Sequence, residues 1–152
     1  NISETTPLGQ LAKSYMDQGD LVPDEVTIQM LEAEVNKFPD VAGFIFDGFP
    51  RTTAQAEALD QFLSRKNMSI SGTIALEADE DVLTARLLER GKESGRPDDQ
   101  DETKIRNRFE EYNKKTAPLE AYYRNQSKFY EVDGIGEISE ITQRISKVID
   151  SL

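Results

Sequence analysis

Apolar residues fall along this chain in two patterns, one at helical spacing and one in short runs. Apolar positions three and four residues apart predict amphipathic helices over residues 1–19, 25–37, 54–66, 81–90, 102–123 and 138–149. The run at 41–46 has no polar alternation, which is typical of a strand buried on both faces, and shorter strands are predicted at 73–76 and 128–132. Because helices separate these strands, the pattern predicts an α/β fold with a parallel sheet and helical crossovers.

Residues that favour helix ends support these boundaries. Asp24 is placed to cap the second helix, and Thr52 or Thr53 is placed to cap the third. Pro118 is expected to interrupt the helix over 102–123, because proline lacks the backbone N–H that a helix interior needs.

A dense group of functional residue types follows the predicted strand at 41–46. The stretch is Asp47-Gly48-Phe49-Pro50-Arg51, and Gln55 comes four residues after the arginine. In open α/β sheets, ligands bind at the carboxyl ends of the strands. A carboxylate and an arginine together at such an end predict an anionic or metal-bound ligand.

Composition narrows the class of protein and of chemistry. A chain of 152 residues with 37% hydrophobic and 31% charged residues is expected to form one globular domain without a transmembrane segment. The net charge of −11 opposes non-specific binding to nucleic acid or to anionic membranes. Since cysteine and histidine are absent, catalysis must use carboxylates, lysines and arginines.

Positive charge is concentrated in one part of this acidic chain, at Arg86, Arg90, Arg96, Arg106 and Arg108. Clustered guanidinium groups suit a small polyanion, because each can form paired hydrogen bonds with phosphate oxygens. Arg86 and Arg90 share the apolar side of the helix over 81–90. They can either lie at the edge of the core or bind a ligand. Only one strand-to-helix turn separates them from the carboxyl edge of the sheet, and this position favours a ligand role.

Several of these motifs together resemble the adenylate kinases of the nucleoside monophosphate kinase family. Asp47-Gly48-Phe49-Pro50-Arg51 matches their D-G-[FY]-P-R signature, and residues 90–99 match the R-G-x-x-S-G-R-x-D-D pattern of their short lid. Arg108-Phe109-Glu110-Glu111-Tyr112 and Thr116-Ala117-Pro118-Leu119 match two motifs that follow this lid. The resemblance extends over essentially all of the chain.

The resemblance implies a P-loop NTPase-like fold, a three-layer α/β/α arrangement with a parallel sheet. The fold is expected to be incomplete, because no G-x-x-x-x-G-K-[ST] sequence for the P-loop, and hence no P-loop strand, is present. Residues 1–152 are expected to form a single domain, with 1–23 in the AMP-binding subdomain, 91–101 as the short lid and the remainder as the core. The sequence is therefore expected to be a fragment that is inactive on its own.

The resemblance also assigns roles to individual residues. It places AMP binding at Asp20, Leu21, Val22, Gly48, Phe49, Pro50, Arg51 and Gln55, with Arg51 on the phosphate and Gln55 on the adenine. It places ATP binding at Arg86, Arg90, Arg96, Arg108 and Gly136, with Arg86 flanking the base. Catalytic roles are expected for Arg51, Arg90, Arg96, Arg108 and Asp47, and Asp47 is expected to hold Mg²⁺ through water. Arg108 is preferred to Arg106 as a phosphate ligand because Phe109 and Tyr112 fix the alignment there.

The implied activity is the reversible, magnesium-dependent conversion of ATP and AMP to two ADP, a reaction of nucleotide biosynthesis. Cytoplasmic location and a monomeric state are implied by the same resemblance. No nucleic acid or membrane partner is expected because of the acidic net charge, and no zinc is expected in the lid because it contains no cysteine or histidine. A UMP/CMP kinase of the same family is the nearest alternative, although Gln55 favours AMP. A non-catalytic nucleotide-binding module is the alternative from another class, because the P-loop motif is missing.

Overall fold

A computed structural model describes residues 6–17, 22–94 and 99–152. The helices are α1 (Pro7–Asp17), α2 (Asp24–Val35), α3 (Thr53–Arg65), α4 (Glu80–Ser94), α5 (Glu102–Lys115), α6 (Pro118–Arg124) and α7 (Ile138–Ile149). The strands are β1 (Thr73–Glu77) and β2 (Phe129–Asp133). The chain folds as two compact units, one over 1–69 and the other over 70–152.

The first unit contains α1, α2 and α3, and α2 packs against both of the others. Its core is formed mainly by one face of α3, where apolar residues recur at helical spacing. The buried residues are Ala12 of α1, Val26 and Val35 of α2, and Ala56, Leu59, Phe62 and Leu63 of α3.

The second unit is built around a parallel pair of strands. β1 and β2 pair from Thr73 opposite Phe129 to Glu77 opposite Asp133, and α4, α5 and α6 form the connection between them. The buried residues Ile105, Leu119, Tyr123 and Val132 form its core. The predicted α/β class with a parallel sheet is confirmed, and so are both of these strands.

Two helix boundaries test the sequence predictions closely. α5 ends at Lys115 and α6 begins at Pro118, so the interruption predicted at the proline is confirmed. α4, in contrast, runs to Ser94 instead of ending at Arg90. A side-chain pair between Lys92 and Glu89, with Nζ 2.7 Å from Oε2, forms in this additional turn.

The strand predicted at 41–46 is wrong. No part of this segment pairs with a strand in the described chain, and Ile45 is 91% exposed. A strand buried on both faces needs neighbours that take up its backbone N–H and C=O groups. Here Phe44 and Phe46 stack with ring centroids 6.1 Å apart, and both line an open apolar pocket of about 250 Å³ together with Leu31 and Phe38.

Candidate active site

The turn from Asp47 to Arg51 brings a guanidinium group onto a glycine. Gly48 has a φ of +69°, a conformation that glycine adopts without the steric cost of a side chain. Arg51 Nε donates to the Gly48 carbonyl oxygen at 2.7 Å. A β-carbon on Gly48 would lie 3.1 Å from Arg51 Nη2, so glycine also leaves room for the arginine.

Gln55 joins this turn to two helices. Its side chain is buried, its Oε1 accepts a hydrogen bond from the backbone N–H of Arg51 at 2.7 Å, and its Nε2 donates to Asp24 Oδ1 at 2.7 Å. Thr52 Oγ1 accepts from the Gln55 backbone N–H at 3.1 Å, which confirms Thr52 as the cap of α3. The same hydroxyl donates to Asp24 Oδ2 at 2.8 Å.

The predicted cap at Asp24 is wrong. α2 begins at Asp24 itself, its N-cap is Pro23, and no side chain caps it. The Asp24 carboxylate instead accepts hydrogen bonds from Thr52 and Gln55 at the start of α3. Two side-chain donors from outside the helix therefore replace the backbone N–H groups that a cap would use.

Asp47 is an exposed carboxylate next to this turn. The described residues contain no cluster of three or more Asp, Glu, His or Cys side chains that could hold a metal ion. Magnesium usually keeps several waters and binds through one or two carboxylates plus substrate phosphates. A single exposed carboxylate fits that kind of site.

Asp99 organises two of the predicted phosphate ligands. Its side chain is fully buried, Arg90 donates to Oδ2 through Nε at 2.8 Å, and Arg108 donates to Oδ1 through Nη1 at 2.7 Å. Burial raises the pKa of Asp99, but the hydrogen bonds and charges of the two arginines outweigh burial and lower the pKa below its ordinary value. The carboxylate therefore stays charged and holds two half-exposed guanidinium groups together.

Sequence reasoning missed the role of Asp99. Its presence in the lid motif was the only signal, because the two arginines that meet on it are each nine residues away along the chain. Arg106 instead pairs with Glu102 on its own helix, with Nη2 2.8 Å from Oε1.

Arg86 lies beside the loop that follows β2. Its Nη1 donates to the Gly134 carbonyl at 2.7 Å, and its Nη2 donates to the Gly136 carbonyl at 3.3 Å. Arg144 of α7 donates through Nη1 to the carbonyls of Asp133 and Ile135, at 2.8 and 2.6 Å. Two guanidinium groups thus hold this loop through four successive carbonyls.

The predicted site residues therefore fall into local groups. In the first unit, the structure brings Gly48, Arg51 and Gln55 together, with Asp47, Phe49 and Pro50 in the same turn. In the second unit, it brings Arg90 to Arg108 and Arg86 to Gly136. Val22 is half-buried two residues before Asp24, whereas Asp20, Leu21 and Arg96 lie outside the described residues. No helix in the described parts of the chain has the length and apolarity to cross a membrane.

Comparison with known proteins gives a consistent family match. A family model described as adenylate kinase matches residues 1–128. The chain is 64% identical to an adenylate kinase of Flavobacterium psychrophilum and 61% identical to one of Flavobacterium johnsoniae, in each case over 152 residues, which are all of this chain and 80% of the relative. It is 44% identical over 151 residues to an adenylate kinase of Bacteroides fragilis, covering 99% of this chain and 79% of that protein.

Proposed function

Because the chain belongs to the adenylate kinase family, we propose that its protein transfers the terminal phosphoryl group of ATP to AMP and forms two ADP. The observation that supports this most is the bond from the Arg51 backbone N–H to Gln55 Oε1, at 2.7 Å. This bond holds Arg51, which can bind phosphate, next to Gln55, which can read a base, at the start of α3. A nucleoside monophosphate offers both features to such a pair.

Arg51 binds the phosphate of AMP in this proposal. A transferring phosphoryl group spreads its negative charge over several oxygens, and a planar guanidinium can follow that charge from the ground state to the transition state. The bond from Arg51 Nε to the Gly48 carbonyl sets the direction of the side chain before substrate binds. Such preorganisation lowers the cost of reorganisation during the reaction.

Arg90, Arg96 and Arg108 bind the phosphates of ATP, and Arg86 lies next to its base. Asp99 holds the Arg90 and Arg108 groups at one point, which limits the freedom that each loses when a phosphate binds. The chemistry needs no histidine base, since positioning and electrostatic stabilisation dominate phosphoryl transfer.

Magnesium is the expected cofactor, bound with ATP. When bound, it neutralises charge on the phosphate oxygens, and Asp47 would hold it through water. We extend the proposal to a cytoplasmic monomer on the family resemblance alone, and the acidic net charge is consistent with a protein that does not bind nucleic acid.

The test is ADP formation from ATP and AMP by the intact protein that contains this sequence, measured with Mg²⁺ and again with excess EDTA. Arg51→Ala is expected to lower kcat/KM about 100-fold, since it removes a charge-stabilising donor. Arg65→Ala is the matched control, because it removes an exposed arginine of α3 that pairs with Glu32. Absence of ADP formation by the unaltered protein, or equal losses in the two variants, would contradict the proposal.

A further inference from the structure

We infer that Asp24 is a positioning residue that fixes the orientation of the Gln55 amide and thereby makes the acceptor site selective for adenine over guanine. The inference rests on the proposed function, because it concerns the base of the monophosphate acceptor. Asp24 belongs to α2, and Gln55 belongs to α3. The bond from Gln55 Nε2 to Asp24 Oδ1 is 2.7 Å long and joins side chains 31 residues apart.

The two ends of the Gln55 amide meet opposite kinds of partner. An ionised carboxylate can only accept hydrogen bonds, so Asp24 requires the NH₂ end of the amide. The backbone N–H of Arg51 can only donate, so it requires the carbonyl end. A flipped amide would place an oxygen against the carboxylate and a donor against a donor, and both contacts would be lost.

Asp24 is itself held in place. Its second oxygen, Oδ2, accepts from the Thr52 hydroxyl at 2.8 Å, and that hydroxyl caps α3 through the Gln55 backbone N–H. Both carboxylate oxygens therefore bond to the first turn of α3. The orientation of the amide is consequently built into the contact between two helices, before any ligand binds.

A fixed amide has one pattern of unused hydrogen-bonding positions. Within the described residues, the second Nε2 hydrogen and the second lone pair of Oε1 make no hydrogen bond. They form a donor beside an acceptor, which complements the ring nitrogen and the amino group of adenine. Guanine has a carbonyl oxygen where adenine has the amino group, so it would place an acceptor against Oε1.

The test compares the affinities of the intact protein for AMP and GMP by calorimetry in three variants. Asp24→Ala removes the acceptor, and we expect weaker AMP binding with an AMP-to-GMP affinity ratio that falls about tenfold. Asp24→Asn keeps one acceptor oxygen and is expected to restore most of this ratio. Glu25→Ala is the matched control: it also removes an acidic residue from the first turn of α2, where the side chain is exposed, and should leave the ratio unchanged.

The ratio separates positioning from a general loss of folded protein. Partial unfolding would weaken AMP and GMP binding equally and leave their ratio unchanged. A ratio in Asp24→Ala equal to that in Glu25→Ala, or an unaltered protein that does not distinguish AMP from GMP, would overturn the inference. Binding is measured without turnover, so the two proposals can fail separately. If Asp24→Ala loses selectivity but the unaltered protein forms no ADP, the proposed function is refuted and the inference is supported. If the unaltered protein forms ADP but the ratio is unchanged in Asp24→Ala, the inference alone is refuted.

Discussion

Gly91 lies directly against the backbone of Asp99, so that a β-carbon at position 91 would stand 2.5 Å from the Asp99 carbonyl oxygen. That separation is shorter than any ordinary contact, and the obstacle is backbone instead of a flexible side chain. The glycine is therefore required for the close approach that places the Asp99 carboxylate between Arg90 and Arg108.

Gly91→Ala is expected to destabilise the second unit and weaken ATP binding. Alanine favours helices by about 1 kcal/mol over glycine, but displacement of the segment at Asp99 should cost about 1–3 kcal/mol and exceed that gain. Urea unfolding and the KM for ATP measure the two effects. Gly43→Ala is the control, since a β-carbon there meets nothing within 4 Å, and equal behaviour of the two variants would contradict the prediction.

The lowered pKa of Asp99 predicts that its contribution to the free energy of unfolding depends on pH. The pKa of its carboxyl is lowered in the folded protein from an ordinary value of 3.8. A carboxyl group whose pKa is lowered by folding contributes fully to the free energy of unfolding at a pH above its unfolded-state pKa. This contribution disappears as the pH falls through the folded-state pKa. The difference in free energy of unfolding between the unaltered protein and Asp99→Asn should thus be constant above about pH 5 and shrink below about pH 4.

Urea titrations of both proteins at intervals from pH 7 to pH 3 measure this difference. Asp101→Asn provides a comparison, because Asp101 is an exposed carboxylate in the same segment that accepts from the Thr103 backbone N–H. A difference for Asp99→Asn that grows on acidification would show that the arginines do not hold the carboxylate in its charged form.

Gln55→Glu is expected to disrupt the proposed acceptor site by bringing two carboxylates together. The introduced oxygen replaces the Nε2 group that donates to Asp24, so both partners lose a hydrogen bond and repel each other. We expect a loss of about 1–3 kcal/mol in stability and at least a tenfold increase in KM for AMP. Adding Asp24→Asn should recover part of the stability and part of the affinity for AMP, because the asparagine amide can donate to the introduced carboxylate. A double mutant as impaired as the single mutant would contradict this prediction.

The sequence alone was sufficient for the elements that depend on local patterns. The apolar face of α3, the cap at Thr52 and the break at Pro118 follow from spacing and backbone chemistry within a few residues. The predicted strand at 41–46 is wrong because an apolar run forms a strand only when a neighbour takes up its hydrogen bonds. The segment has no such neighbour in the described part of the chain.

The candidate site was predictable where one motif contains both partners and was missed where they are distant. Gly48 and Arg51 are three residues apart, and their contact follows from the turn itself. The bond between Asp24 and Gln55 depends on how α2 packs against α3, and no local pattern contains that information. Local pattern consequently favours a cap at Asp24 and indicates no role for Asp99.

The 152-residue chain by itself is expected to bind AMP weakly and to form no ADP. It contains the proposed AMP-binding residues Arg51 and Gln55 but has no G-x-x-x-x-G-K-[ST] sequence to hold the phosphates of ATP. Calorimetry with AMP and an ADP assay on a preparation of verified mass measure both properties. Measurable ADP formation by the isolated chain would contradict this prediction.

Acceptor choice tests the proposed activity most directly. The intact protein is supplied with Mg²⁺ and ATP and with AMP, UMP, CMP or GMP at equal concentrations, and nucleoside diphosphate formation is followed for each. Because Gln55 is proposed to present a fixed donor and acceptor to the base, AMP should be phosphorylated with a kcat/KM at least tenfold above the others. A preference for UMP or CMP, or equal use of all four, would contradict the proposal that the intact protein transfers phosphate to AMP.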